Sequence, residues 1–128
     1  EAEKHMRQVG LKESPTTLIK DIGTGKQQLV EIAKALSKNV KLLILDEPTK
    51  GIDVGTKAEI YQKICDLASQ GLAVLFISSE LTEVINLADR IIVMRGGAIT
   101  GELPRAEATE ENVLTLAMAD ESNKEATA

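Results

Sequence analysis

The sequence predicts an α/β fold in which helices pack on a parallel sheet. Three observations carry that prediction. Two short aliphatic runs, residues 40–45 and 72–77, have the length of buried strands. Segments of helical period alternate with them, the pattern of strand–helix–strand units joined by right-handed crossovers. Aromatic residues are only 2% of the chain against 43% apolar residues, so the core is aliphatic, which suits parallel strands under helices.

The elements follow in order along the chain. Residues 1–10 read as the end of a helix stopped near Gly10. Residues 11–25 form a connector broken by Pro15 and by Gly23-Thr24-Gly25. From Lys26 onward, Leu29, Ile32, Ala33 and Leu36 recur at the spacing of one helix face. The first apolar run then ends abruptly at Asp46-Glu47-Pro48. A helix over residues 54–69 turns Ile60, Ile64, Leu67 and Ala68 inward, and Gly71 marks the turn into the second run. Residues 80–89 give a short helix with Leu81, Val84, Ile85 and Ala88 on one face. Residues 91–94 and 99–102 flank Gly96-Gly97, a hairpin signal. A last helix starts near Thr109 and carries Val113, Leu114 and Leu116, with Glu107, Glu110 and Glu111 placed to complement its dipole. Residues 1–119 are thus expected to form one partial domain, and residues 120–128 a polar tail.

Composition narrows the function classes. A chain of 128 residues can bury one modest core. A net charge of −5, with no basic cluster, disfavours nucleic acid as the main partner. Cys65 stands alone, so there is no disulfide framework and no zinc spacing; a reducing compartment and a buried, small apolar role are expected for it. No apolar run approaches the roughly 18–20 residues of a membrane span. His5 reads as a solvated surface residue, and Tyr61 and Phe76 as packing residues. The chain opens in mid-pattern without an initiator Met and is expected to be a fragment.

The chemistry concentrates in Leu42-Leu43-Ile44-Leu45-Asp46-Glu47-Pro48-Thr49. Ligands of open α/β sheets bind beyond the carboxyl ends of the strands. Two carboxylates at such an edge are costly unless they meet a cation or a proton-transfer task. In phosphoryl-transfer ATPases one acid there holds Mg²⁺, and a neighbour can orient or deprotonate water. Taken alone, the same residues also fit a solvated turn in which Asp46 is only a cap.

The run resembles the Walker B strand of ATP-binding cassette (ABC) ATPases, and the resemblance extends to both sides of it. Ile22-Gly23-Thr24-Gly25-Lys26-Gln27-Gln28 is similar to the ABC signature segment, and Leu29 to Leu36 to its helix. Lys50-Gly51-Ile52-Asp53 lies at the D-loop position, and Phe76-Ile77-Ser78-Ser79-Glu80 where the switch strand ends. The resemblance implies a partial, P-loop NTPase-like nucleotide-binding domain. It further implies Asp46 for Mg²⁺ and Glu47 as the general base. Gly23, Thr24, Gly25, Lys26 and Gln27 would face the γ-phosphate of ATP held on a second cassette, where a helix N-terminus presents N–H groups. Asp53 would couple the two nucleotide sites, and Ser79 would stand at the switch position. Asp53-Val54-Gly55-Thr56-Lys57 and Ile77-Ser78-Ser79-Glu80-Leu81 resemble the tandem-cassette ATPases of bacterial monosaccharide importers, the ribose, xylose and galactose type.

Three departures qualify that pattern. There is no Walker A: Gly25-Lys26 has Lys20 where the first Gly belongs and Gln27 where the hydroxyl belongs. Gly23 replaces the usual Ser of the signature. Ser79 replaces the usual switch His, and its hydroxyl suits a cap for the helix that follows. The stretch to Thr49 resembles a first cassette and the stretch from Lys50 a second, as an internal deletion at the shared Leu-Asp-Glu-Pro-Thr would produce. The expected function is ATP-driven import of a monosaccharide such as xylose or ribose. It would work with ATP, Mg²⁺, membrane permease subunits, a second cassette and, indirectly, an extracellular or periplasmic sugar-binding protein. No nucleic-acid partner is expected, and the expected place is the cytoplasmic face of the membrane. Alone, without Walker A, the chain is expected to be inactive; a non-catalytic interaction module is the rival reading.

Overall fold

Two parallel strands organise the first part of the chain. The computed structural model describes residues 1–118, which divide into a unit spanning Glu1–Ile77 and a second beginning at Ser78. The first unit contains α1 (Ala2–Gln8), α2 (Thr24–Leu36), β1 (Leu42–Asp46), α3 (Val54–Ser69) and β2 (Ala73–Ile77). A short 3₁₀ turn, Ile19–Asp21, lies in the connector before α2. β1 and β2 pair in parallel from Leu42 opposite Ala73 to Asp46 opposite Ile77. Parallel neighbours need a crossover, and α3 is that crossover. The expected α/β class with a parallel sheet is what forms.

The helical faces assemble as their period dictates. Leu29, Ile32 and Ala33 of α2, Ile60, Ile64 and Leu67 of α3, and Leu43 and Leu45 of β1 share one buried cluster with Val9 and Leu11. Phe76 packs against it, as a packing residue should. Each such aliphatic side chain contributes about 1.5–3 kcal/mol when fully buried.

Four expectations need correction. The strands are covered on one face only. Leu43 and Leu45 are buried, but Leu42 is 51% exposed and Ile44 57%, with Leu75 and Ile77 at 46% and 44% in the partner strand. A strand's side chains alternate between faces, and within this unit the helical cluster includes the residues of one face. Helix α2 begins at Thr24, two residues earlier than its apolar period, because Gly23 adopts the extended conformation of an N-cap (φ −64°, ψ 155°). Cys65 and Ala68 are exposed. Each lies one residue beyond an inward position, Ile64 and Leu67, and so falls about 100° round the helix. Finally, Ser79 does not cap the helix after it. Glu80 is the N-cap, and the Ser78 hydroxyl accepts from the Glu80 N–H at 3.0 Å while donating to the Glu83 carboxylate at 2.8 Å.

The second unit contains α4 (Leu81–Leu87), β3 (Arg90–Arg95), β4 (Ala98–Pro104), a 3₁₀ turn Arg105–Glu107, and α5 (Glu110–Met118). β3 and β4 form the expected hairpin. Arg95 pairs with Ala98, so Gly96 (φ 56°) and Gly97 (φ 80°) are the two-residue loop, both left-handed as a type I′ turn requires. Ile91, Val93 and Leu103 of the hairpin bury with Val113 of α5, and the expected α4 face, Leu81, Val84, Ile85 and Ala88, packs on them. A Cβ on Gly101 would lie 2.5 Å from a Leu116 methyl, so α5 rests directly on bare backbone there. The polar tail expected at 120–128 lies outside the described residues.

Ile60 is 0% exposed and Ile44 57%. Ile60→Ala is therefore expected to destabilise this 128-residue chain by about 3 kcal/mol, and Ile44→Ala by less than about 0.5 kcal/mol. Urea unfolding of the two variants checks this; equal losses would contradict one-sided burial of the sheet.

Candidate functional site

The first turn of α2 is held from two sides. Gly23 accepts the first intrahelical bond, from the Gln27 N–H at 3.0 Å, which leaves the N–H groups of Thr24, Gly25 and Lys26 ahead of the hydrogen-bonded ladder. The Gln27 side-chain amide donates back to the connector, to the carbonyls of Ile19 (3.1 Å) and Ile22 (3.0 Å). The Lys26 ammonium pairs with the Glu13 carboxylate. That hydrogen bond holds the Glu13 carboxyl below its usual pKa and raises that of Lys26.

Beyond the end of β1 the chain turns sharply. Asp46 is exposed at the strand's last position, and half-buried Glu47 follows with φ 47°. A non-glycine residue in the left-handed region is uncommon, and here hydrogen bonds fix it. The Glu47 N–H donates to Ile77 O at 2.8 Å, and its carbonyl accepts from the Lys50 N–H at 3.2 Å. Thr49 is 1% exposed, and its carbonyl accepts from the Ile52 N–H at 3.1 Å. Gly51 supplies a second left-handed residue, φ 76°. Asp53 then caps α3, with Oδ1 accepting from the Thr56 N–H at 3.0 Å. That N–H, joined by the Thr56 hydroxyl, keeps the Asp53 carboxyl below its ordinary pKa.

These two segments meet. Gly23 to Lys26 on one side and Gly51, Ile52, Asp53 and Thr56 on the other line one open concavity of about 370 Å³. Among the predicted residues, Gly23, Thr24, Gly25, Lys26 and Asp53 thus come together. Gln27 is not in the lining and spends its side chain on the connector. Asp46 and Glu47 sit at the strand end, outside that lining. Ser79 belongs to the second unit and is exposed. Among the described residues no three His, Cys, Asp or Glu side chains gather as a metal cluster. Sequence reasoning missed Thr56 and Glu13. The Asp53-x-x-Thr56 spacing is an N-cap signal that pointed to the first; nothing local pointed to Glu13.

Comparison with known proteins identifies the family. A family model described as ABC transporter matches residues 1–50. The arabinose import ATP-binding protein AraG of Pectobacterium atrosepticum is 58% identical over 105 residues, 82% of this chain and 21% of its own length. The ribose import ATP-binding protein RbsA of Caldanaerobacter subterraneus subsp. tengcongensis is 57% identical over 108 residues, 84% of this chain and 22% of its own. The chain belongs to the ABC transporter ATP-binding family. It spans about one fifth of the length of these relatives. Two solved ATP-binding cassettes of ABC transporters have the same fold. An ADP-conformation cassette has a TM-score of 0.80 at 27% identity, over 93% of this chain and 49% of that one. A nucleotide-free cassette has a TM-score of 0.79 at 25% identity, over the same shares, 93% and 49%.

In this ABC family member the Asp53 cap carries a pH signature. A carboxyl whose folded pKa is depressed stabilises the fold above its ordinary pKa, and that stability fades as pH falls from the ordinary value through the lower folded one. Asp53→Asn keeps an acceptor for Thr56 but removes the charge. Its urea midpoint is expected to fall less than the wild type's between neutral pH and about pH 3; superimposable profiles would contradict the cap's charge dependence.

Proposed function

We propose that this chain supplies the Walker B acids of one ATP site and the signature turn of a second in an ABC ATPase that drives sugar import. The observation that carries the reading is the end of β1. Two adjacent carboxylates leave the sheet at its carboxyl edge, and the second, Glu47, is turned there by a left-handed backbone (φ 47°) held by hydrogen bonds. Such backbone costs about 1–3 kcal/mol and persists where the surroundings impose it.

The roles follow from position. Glu47 acts as general base, polarising the water that attacks the γ-phosphate. Exposed Asp46 offers oxygen donors to Mg²⁺. One carboxylate suffices for an ion whose remaining positions are filled by phosphates and water. Mg²⁺, when bound, supplies charge neutralisation for the transferring phosphoryl group. The N–H groups of Thr24, Gly25 and Lys26 face the γ-phosphate of ATP held by a second cassette, which brings the Walker A loop this sequence lacks. Gln27 braces that turn from behind. Asp53 links the signature segment to the acids through the loop 47–53. Ser79, at the switch position, offers a hydroxyl where a His would offer a titratable cation.

The import relatives named for arabinose and ribose support a monosaccharide cargo, and we assign a pentose such as ribose, xylose or arabinose. The partners are membrane permease subunits, the second cassette and, through the permease, a sugar-binding protein. The chain then works at the cytoplasmic face of the membrane. No described helix is long and apolar enough to cross a membrane; the reading places attachment at the permease.

The test is steady-state ATP hydrolysis by this chain completed with a Walker A segment of its own and paired with a second cassette. Glu47→Gln is expected to lower turnover by roughly 10²–10⁴-fold while ATP-dependent pairing persists. Turnover unaffected by Glu47→Gln would overturn the assignment, and pairing without any wild-type turnover would make the chain an interaction module.

A further inference from the structure

We infer that Thr56 is a positioning residue for the proposed ATP contact, setting the spacing between the first turn of α2 and the loop that ends at Asp53. The inference rests on the function proposed above and adds a residue to it.

Gly25 is buried. A Cβ built on it would lie 2.0 Å from Thr56 Cγ2 and 3.2 Å from Thr56 Cβ. The Thr56 methyl therefore fills the place where a side chain at 25 would stand, packed directly on the Gly25 backbone. The other branch of Thr56 is committed elsewhere. Its hydroxyl and its N–H both bond the Asp53 carboxylate, the latter at 3.0 Å. A β-branched side chain has few accessible χ1 rotamers, so fixing the hydroxyl fixes the methyl. One residue thus holds Asp53 with one hand and the α2 turn with the other.

The α2 turn cannot simply back away. Lys26 pairs with Glu13, and Gln27 bonds Ile19 and Ile22, on the connector that runs into it. With both sides fixed, the methyl of Thr56 determines how far the N–H groups of Thr24 to Lys26 stand from Asp53, and so the aperture of the concavity between them. Serine would keep the bonds to Asp53 and lose the methyl; valine would keep the methyl and lose the hydroxyl. Only threonine does both.

The experiment compares wild type, Thr56→Ser, Gly25→Ala and the double variant Gly25→Ala/Thr56→Ser. ATP hydrolysis is measured in the complex with the Walker A-bearing cassette, and amide exchange at residues 24–26 in this chain. Thr56→Ser and Gly25→Ala are each expected to raise the KM for ATP roughly tenfold with kcat changed by less than about twofold. The double variant moves the methyl from residue 56 to residue 25, so its KM is expected to return toward wild type. Amide exchange should rise in each single variant and fall again in the double. A purely structural contact would move the thermal midpoints without the KM pattern, and that result overturns the inference. So do single-variant effects that add rather than compensate. A complex that fails to hydrolyse ATP at all overturns the proposed function instead; unchanged amide exchange in Thr56→Ser then overturns this inference separately.

Discussion

Everything in the first unit depends on one constraint: β1 and β2 run in parallel, so the chain must cross over before it can pair again. The crossover is α3, and its inward stripe, Ile60, Ile64 and Leu67, gives the cluster three buried residues, as many as α2 does. The geometry also decides where chemistry can sit. β1 ends at Asp46, opposite Ile77, and the chain must reverse there within a few residues to start α3 at Val54. That reversal is the 47–53 loop, with left-handed Glu47 and Gly51 as its corners. It delivers Asp53 and Thr56 to the start of α2. The two carboxylates and the glycine-lined concavity are thus both products of one turn at one edge of the sheet.

Much of this was legible in the sequence. Helix faces were readable because burial repeats with the helical period, and Gly96-Gly97 was readable because only glycine-rich pairs tolerate a type I′ loop cheaply. Strand burial was misread because a run of consecutive aliphatic residues looks the same whether one face or both are covered. Leu42 and Ile44 are as apolar as Leu43 and Leu45, yet they stand exposed on the other side of the sheet. Cys65 and Ala68 failed for a related reason: small residues carry little pattern, and a one-residue offset moves them off the inward stripe.

The site divides the same way. Asp46, Glu47 and Asp53 announce themselves as acids after an apolar run, and Gly23 to Gly25 as a breaker before a helix. The dependence of the first turn of α2 on Glu13 and Thr56 did not announce itself, because an ion pair 13 residues apart and a methyl seated on a glycine leave no local period. Ser79 shows the limit of residue type alone. The sequence pointed to Ser79 as the cap of α4, and it is the neighbouring Ser78 that bonds the Glu80 N–H and Glu83.

The central claim is that the first turn of α2 faces ATP held by another cassette. Amide NMR of this chain, recorded while a Walker A-bearing cassette is added with ATP or with ADP, tests it most directly. The account predicts that the signals of Thr24, Gly25 and Lys26 move with the ATP-loaded cassette and stay in place with the ADP-loaded one. Signals that stay unmoved in both, or that move equally with ADP, would contradict it.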